Sequence, residues 1–264
     1  MGTFPYARTL AALVLAASLG CSDGAGPLTS NLLVSFATFD PAATPRAAML
    51  GAPGASGAAL ANDTLVDGTD TLIITRAEIV VREIELRRLD IASCDGEPEP
   101  PGCEEVEIGP VLVDLPLGPG AVAKFAAGLP AGAYSEITFE IHQVTNDAAD
   151  AAFRTLHPGF PVGQSIRVQG TFNGTAFEYQ TELNVKQELD LDLRTPLVVS
   201  DAAATNLTIR IGLARWFRAL NGSLVNPASA NKGQPNEGLV NENIKTSIEA
   251  FEDRDGDGDD RDEG

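Results

Sequence analysis

Four aspartates near the end of the chain are the residues whose spacing most directly suggests chemistry. Asp253, Asp255, Asp257 and Asp259 occupy alternate positions, and Gly258 follows the third of them. Carboxylate oxygens at alternate positions of a turn can converge on one cation, and a glycine in this place permits the sharp bend. The spacing therefore predicts a candidate Ca²⁺ site with these four residues as ligands.

This spacing resembles the calcium loops of EF-hand, dockerin and thrombospondin-type repeats. With Asp253 as position 1, Gly264 stands at position 12, where an EF-hand carries a bidentate Glu, and Glu263 comes one residue early. We therefore expect residues 253–264 to form a solvated, disordered acidic tail. Weak Ca²⁺ binding, with a dissociation constant of about 10⁻⁴–10⁻³ M, is the alternative.

Glu140 and His142 form a second candidate because residues two apart on a strand share a face. Such a pair could bind a metal, but a catalytic zinc needs three protein ligands. The chain has 2 histidines, 37 acidic residues in no recognisable catalytic context, and no Gly-x-Ser-x-Gly sequence. We expect His142 and His157 to be solvated or locally hydrogen-bonded, and the protein not to be an enzyme. An envelope hydrolase or metal-dependent enzyme using Glu140 and His142 is the alternative.

Cys94 and Cys103 stand at the two ends of a loop rich in Pro and Gly. In an exported protein two cysteines at this spacing are expected to form a disulfide. A metal site is the weaker alternative, because neither cysteine has another Cys or a His close in sequence.

Residues 1–20 have the pattern of a secretory signal peptide, with Arg8 followed by an apolar run at residues 10–19. That run is about half the 20 residues that a membrane-spanning helix needs. The end of the run, Ser18-Leu19-Gly20-Cys21, resembles the lipobox of bacterial lipoproteins, although that family usually carries Leu where Ser18 stands. The resemblance implies that Cys21 is lipidated and anchors the protein to a membrane; cleavage without lipidation is the alternative.

The chain is strongly acidic, with a formal net charge of −19, which becomes −20 without residues 1–20 because Arg8 is their only charged residue. Such a surface repels nucleic acid and anionic lipid. We therefore expect no nucleic-acid partner, and cations or basic surfaces remain suitable partners.

Alternating apolar and polar residues predict most of the strands. In residues 134–144, Ile137, Phe139 and Ile141 alternate with polar residues, as in a strand with one wet face. Residues 71–89 read as two strands or one strand with a bulge, because the apolar parity shifts between Val81 and Ile84; a helix is the rival interpretation. Asn173-Gly174 predicts a type I′ hairpin turn with Phe172 opposite Thr175.

These elements predict an all-β protein, an antiparallel β-sandwich of about nine or ten strands rather than a barrel or an α/β sheet. A short helix is expected after Asn146, and a C-terminal amphipathic helix at residues 237–251. The predicted organisation is a signal peptide at 1–20, a lipidated Cys and spacer at 21–30, a sandwich domain at 31–252 with an Ala/Gly/Pro-rich insertion at 40–61, and the tail at 253–264.

The turn Leu129-Pro-Ala-Gly-Ala-Tyr134 and the strand after it look like the corner of prealbumin-like and immunoglobulin-like sandwiches of bacterial envelope proteins. Together with the signal and the strand beginning near Ile73, they are similar to uncharacterised lipoproteins that carry a β-sandwich domain of unknown function, over about residues 30–215. The resemblance implies an extracytoplasmic, lipid-anchored binding or structural module, at the outer membrane or cell surface, with a protein or carbohydrate ligand. It transfers no catalytic residue and implies no cofactor.

Overall fold

The computed structural model describes residues 30–39, 63–94, 98, 101–106, 108–118, 120–191 and 196–258. It confirms the all-β sandwich but divides it into thirteen strands in two sheets, rather than nine or ten. The strands are β1 Leu32–Thr38, β2 Asp63–Val66, β3 Thr71–Arg88, β4 Cys103–Val106, β5 Val111–Asp114, β6 Ala121–Ala127, β7 Gly132–Ile141, β8 Ile166–Phe172, β9 Thr175–Thr181, β10 Val185–Asp190, β11 Leu197–Val199, β12 Thr205–Ile211 and β13 Ile248–Glu252.

The small sheet has the order β13-β12-β1-β6, and the large sheet follows β10-β7-β3-β8-β9 with β2, β4 and β5 on β3 and β11 on β7. Among the described residues, all strand pairs are antiparallel except β1 with β12, so the predicted antiparallel sandwich is confirmed with one parallel pair. A parallel pair needs a long crossover connection. In the sequence, all strands of the large sheet lie between β1 and β12. The apolar faces of β1 and β12 form one core with the inner face of the large sheet.

The long strand β3 carries the bulge that the parity shift predicted. Its pairing with β7 skips Glu83, between Arg82 and Ile84, and Glu83 has a φ of 52°. The extra residue lets Val81 and Ile84 both face the core, since without it one of them would turn outward. It also keeps Arg82 on the outer face, opposite Glu140.

The Asn-Gly hairpin is confirmed with the predicted register, with Phe172 opposite Thr175 and Val168 opposite Tyr179. Asn173 and Gly174 both have positive φ, as a type I′ turn requires. Gly170 in β8 is needed for a different reason: a Cβ there would lie 1.9 Å from the carbonyl oxygen of Ile73. The two strands therefore approach more closely than any side chain at that position allows.

The helices are α1 Ala151–Leu156, preceded by a 3₁₀ turn Ala148–Asp150, then α2 Leu213–Trp216 and α3 Glu237–Lys245; a second 3₁₀ turn is Pro227–Ala230. The prediction of a C-terminal helix through residue 251 is wrong beyond Lys245. Residues 248–252 form β13 on the edge of β12 instead. Ile248 suits either structure by spacing, and pairing with β12 satisfies backbone groups that an exposed sheet edge would leave open.

Several sequence predictions lie outside the described residues: the signal peptide, Cys21 with its spacer up to residue 29, the 40–61 insertion, and the chain from Asp259 onward. Within the described ranges, no helix combines the length and apolarity needed to cross a bilayer.

Candidate functional site

The candidate site lies where the long strand β3 changes partner. The N–H of Val80 donates to Ser165, just before β8, and the carbonyl of Val80 accepts from the N–H of His142, just after β7. In an antiparallel strand the N–H and C=O groups of one residue point to the same edge, so β7 and β8 both lie along one edge of β3 and diverge at Val80. We call this point of divergence the fork, and His142 is the first residue beyond β7 there.

Residues 145–163 belong to the connection from β7 to β8, and they cover the fork. A small apolar cluster of Val80, Val144, Phe153 and Phe160 holds this segment on the outer face of the large sheet. The predicted helix after Asn146 is confirmed, as a 3₁₀ turn that continues into α1 and ends at His157. This segment places Asp150 above His142.

His142 is buried, at 4% exposure, and is not solvated. Its Nε2 atom lies 3.0 Å from each carboxylate oxygen of Asp150, which is itself 1% exposed. The local hydrogen bonding expected for this histidine is thus confirmed, and solvation is wrong because the 3₁₀ turn covers the ring. Asp150 precedes α1 but its side chain does not cap the helix; it binds the histidine instead.

Asp150 is held as a carboxylate by its other contacts. The N–H and the hydroxyl of Thr145 donate to Oδ2 over 2.6 and 2.9 Å. Burial alone would raise the pKa of Asp150, but the hydrogen bonds from Thr145 and His142 outweigh it and the pKa is lowered. An ionised Asp150 accepts hydrogen bonds only, so Nε2 of His142 is the nitrogen that carries a proton.

The other imidazole nitrogen, Nδ1, is buried and makes no hydrogen bond within the described part of the chain. Oε1 of Glu140 lies 3.8 Å from Nδ1. Glu140 uses its second oxygen, Oε2, to accept from Arg82, with Nη2 at 2.8 Å and Nε at 3.1 Å. The structure therefore brings the predicted pair Glu140 and His142 together, with one oxygen and one nitrogen turned toward each other.

These groups line a cleft of about 220 Å³. Gln143, Thr145, Asp147 and Asn184 complete its polar wall. His157, the other histidine, takes no part: its ring stacks on Phe153 with the centroids 4.8 Å apart.

From the cleft, eight charged side chains and one threonine form three rows across the outer face of β3, β7 and β10. The register places Arg82, Glu140 and Lys186 in one row, Glu85, Thr138 and Glu188 in the next, and Arg87, Glu136 and Asp190 in the third. Arg87 and Glu136 form an ion pair at 2.7 Å. We call these nine residues the charged face; a second cleft of about 240 Å³ lies over it, bounded by residues 92–94.

The disulfide between Cys94 and Cys103 is confirmed. It links Cys94, which lines the cleft over the charged face, to Cys103 in β4. Because both sulfurs are bonded to each other, they offer no thiolate to a metal, and the two-Cys metal alternative is wrong.

The acidic tail is not wholly disordered, because residues 253–258 form a turn on the small sheet. Asp253 is 1% exposed and accepts from the hydroxyl of Thr208 at 2.7 Å and the N–H groups of Gly256 and Gly258 at 2.8 and 3.0 Å. One oxygen each from Asp253, Asp255 and Asp257 lies within 4.8 Å of the others. The predicted fourth ligand, Asp259, lies outside the described residues.

Sequence reasoning missed Asp150 and the anchoring role of Asp253. Asp150 follows His142 by eight residues across an irregular segment, so no strand or helix period relates the two. The partner of Asp253, Thr208, is 45 residues away in sequence. Neither pairing has a local sequence signal.

Comparison with known proteins finds no match: no family, no curated protein and no solved structure matches this chain.

Proposed function

We propose that this protein is a lipid-anchored, extracytoplasmic envelope protein that binds a polar ligand, a protein or a carbohydrate, without catalysing a reaction. The proposal that the protein binds a ligand rests on the charged face. Its three rows cross the outer face of the large sheet between residues 92–94 on one side and residues 145–163 on the other. A polar ligand lying across these strands would meet five carboxylates and three cations, which are Arg82, Arg87 and Lys186.

Several members of the charged face are held in place before any ligand arrives. Arg87 and Glu136 pair with each other, and Arg82 pairs with Glu140. Fixed side chains lose little entropy when they bind, which favours specific recognition. Lys186, Glu188 and Asp190 on β10 are exposed and available to a partner.

The ligand part of the proposal can be tested with a glycan array and a peptide array probed by the full-length chain in detergent. We expect specific binding that the charge reversals Lys186→Glu and Glu188→Lys abolish. Lys232→Glu, an exposed reversal next to β9, is the matched control and should bind as wild type does. Binding that is unchanged in all variants would contradict the use of the charged face.

Export and anchoring rest on the lipobox resemblance and are supported by the disulfide, which is typical of oxidising compartments. Detergent-phase separation of the full chain tests the anchor. Wild type should partition into the detergent phase and Cys21→Ser into the aqueous phase. Equal partitioning of the two proteins would mean that Cys21 is not the anchor.

The envelope hydrolase alternative is tested by a panel of esterase, glycosidase and peptidase substrates. We expect no turnover by wild type above that of His142→Ala. Turnover that His142→Ala abolishes would overturn the non-enzymatic proposal.

A second candidate function is weak Ca²⁺ binding at the C-terminal turn, favoured by the proximity of the Asp253, Asp255 and Asp257 oxygens. Of the two Asp253 oxygens, Oδ1 accepts one hydrogen bond and Oδ2 accepts two, so Oδ1 retains capacity for a cation. Calorimetric titration should give a dissociation constant of about 10⁻⁴–10⁻³ M. Asp255→Asn with Asp257→Asn should remove the heat, and an unchanged heat would exclude the site.

A further inference from the structure

We infer that the cleft at the strand fork is a binding site for a divalent transition-metal ion, with Nδ1 of His142 and Oε1 of Glu140 as its protein ligands. Zn²⁺ is the ion of first choice. This site shares Glu140 with the charged face and is separate from the aspartate turn.

Asp150 determines which nitrogen of the His142 imidazole carries the proton. Both oxygens of Asp150 face Nε2, and the Thr145 donors already fix that carboxylate. Nε2–H therefore donates to Asp150, and the lone pair of a neutral ring lies on Nδ1. Metal-binding histidines usually have this arrangement, in which one nitrogen donates to a carboxylate and the other is turned to the metal.

Nδ1 of His142 is buried in a side chain that is 6% exposed, and it makes no hydrogen bond to the described residues. His142 itself lines the cleft. Buried polar atoms are almost always satisfied, so a group without a protein partner points to a partner of another kind.

Nδ1 of His142 and Oε1 of Glu140 are close to the separation of two ligands on one ion. Ligand atoms about 2.0–2.1 Å from a tetrahedral ion lie about 3.4 Å apart, so a shift of roughly 0.4 Å would bring the atoms now 3.8 Å apart onto one ion. Arg82 holds the other Glu140 oxygen and leaves Oε1 toward the ring. The cleft has room for water to complete the coordination.

Charge and ligand type favour the same class of ion. Asp150 and Glu140 contribute two negative charges and Arg82 one positive charge, so the site with a neutral imidazole carries an excess negative charge. An imidazole nitrogen with a carboxylate oxygen suits Zn²⁺, Co²⁺, Ni²⁺ or Cu²⁺, whereas Ca²⁺ prefers oxygen ligands alone.

The test is a long-range ¹H–¹⁵N NMR spectrum of the two imidazoles in the full-length chain, purified without a histidine tag and titrated with Zn²⁺. We expect a saturable shift of the His142 Nδ1 resonance while His157, the internal control, stays in place. Ca²⁺ at the same concentrations should leave His142 unchanged. Asp150→Asn should weaken the Zn²⁺ affinity about 10–100-fold, and Glu140→Gln by at least that factor. The control Glu182→Gln, at a half-buried position outside the cleft, should bind as wild type does.

Three results would overturn the site. The His142 Nδ1 resonance could stay unchanged up to millimolar Zn²⁺, or both imidazoles could shift alike, which would indicate unspecific binding. Nδ1 could also carry a proton at neutral pH in the metal-free protein, in which case the pair with Glu140 is an ion pair. Because the wild-type spectrum alone decides each of these, the test stands even if Asp150→Asn fails to fold.

Discussion

Nε2 of His142 and the carboxylate of Asp150 are joined by two contacts of 3.0 Å, and this pair fastens residues 145–163 to the end of β7. It connects a strand of the large sheet to the segment that covers the fork. Its loss should therefore affect stability as well as the cleft.

Asp150→Ala should lower the free energy of unfolding by about 2–4 kcal/mol. The change removes the acceptor for the His142 ring and for two donors of Thr145. Urea unfolding followed by circular dichroism measures the effect. The matched control is Asp147→Ala, an exposed acid of the same cleft, which should change the value by less than about 0.5 kcal/mol. Equal losses of unfolding free energy in the two variants would contradict a specific stabilising role of the His142–Asp150 pair.

Glu83 is the strained residue of the β3 bulge, with its φ of 52°. A β-branched side chain fits this conformation poorly, so Glu83→Val should destabilise the protein by about 2 kcal/mol, whereas Glu83→Gly should stay within about 1 kcal/mol of wild type. Denaturant midpoints of the two variants give the comparison. Glu83 also lies 3.7 Å from Lys186, and Lys186→Ala controls for the loss of that pair. A Gly variant as unstable as the Val variant would show that the bulge conformation is not the cause.

Removing the disulfide with Cys94→Ser and Cys103→Ser should lower the free energy of unfolding by about 2–3 kcal/mol, because the unfolded chain regains the entropy of the open loop. Thermal unfolding of this double variant against wild type measures the loss. Mass spectrometry of a non-reduced digest checks the linkage directly. Free thiols at both positions, or a link to Cys21, would contradict the pairing.

Asp67 should make stability depend on acid pH. The N–H groups of Asp70, Leu224 and Thr69 donate to its carboxylate over 2.8, 2.6 and 3.0 Å, and they lower its pKa below the usual value. A lowered pKa in the folded state means that the stabilisation is full above the unfolded pKa of about 3.9 and is lost as the pH falls through the folded value.

The pH series compares wild type with Asp67→Asn. The two should differ in urea midpoint at pH 6, and the difference should shrink steadily below pH 4. Asp201→Asn, at an exposed position, serves as the control. A difference that is constant across the series would show that the charge of Asp67 does not contribute.

Much of the fold was predictable because its signals are local. The Asn173-Gly174 turn fixes its own register, and the parity shift between Val81 and Ile84 marks the bulge at Glu83. The Cys94–Cys103 pairing follows from a short loop in a chain whose sequence predicts export. The end of the C-terminal helix was not predictable, since Ile248 fits a helical stripe and a strand equally well, and the open edge of β12 decides between them.

For the candidate site, the sequence by itself determined that Glu140 and His142 share a strand face, because the period of a strand is a local property. Only the tertiary structure decided that this face is covered at His142, that Asp150 holds Nε2, and that Nδ1 is left facing Glu140. Likewise, only the tertiary structure shows that Asp253, which the sequence assigns to the tail, is buried and accepts a hydrogen bond from Thr208. The physical reason is that burial and hydrogen-bond partners depend on which segments meet in space, and residues 145–163 and the C-terminal turn reach their partners through packing and irregular turns that have no sequence period.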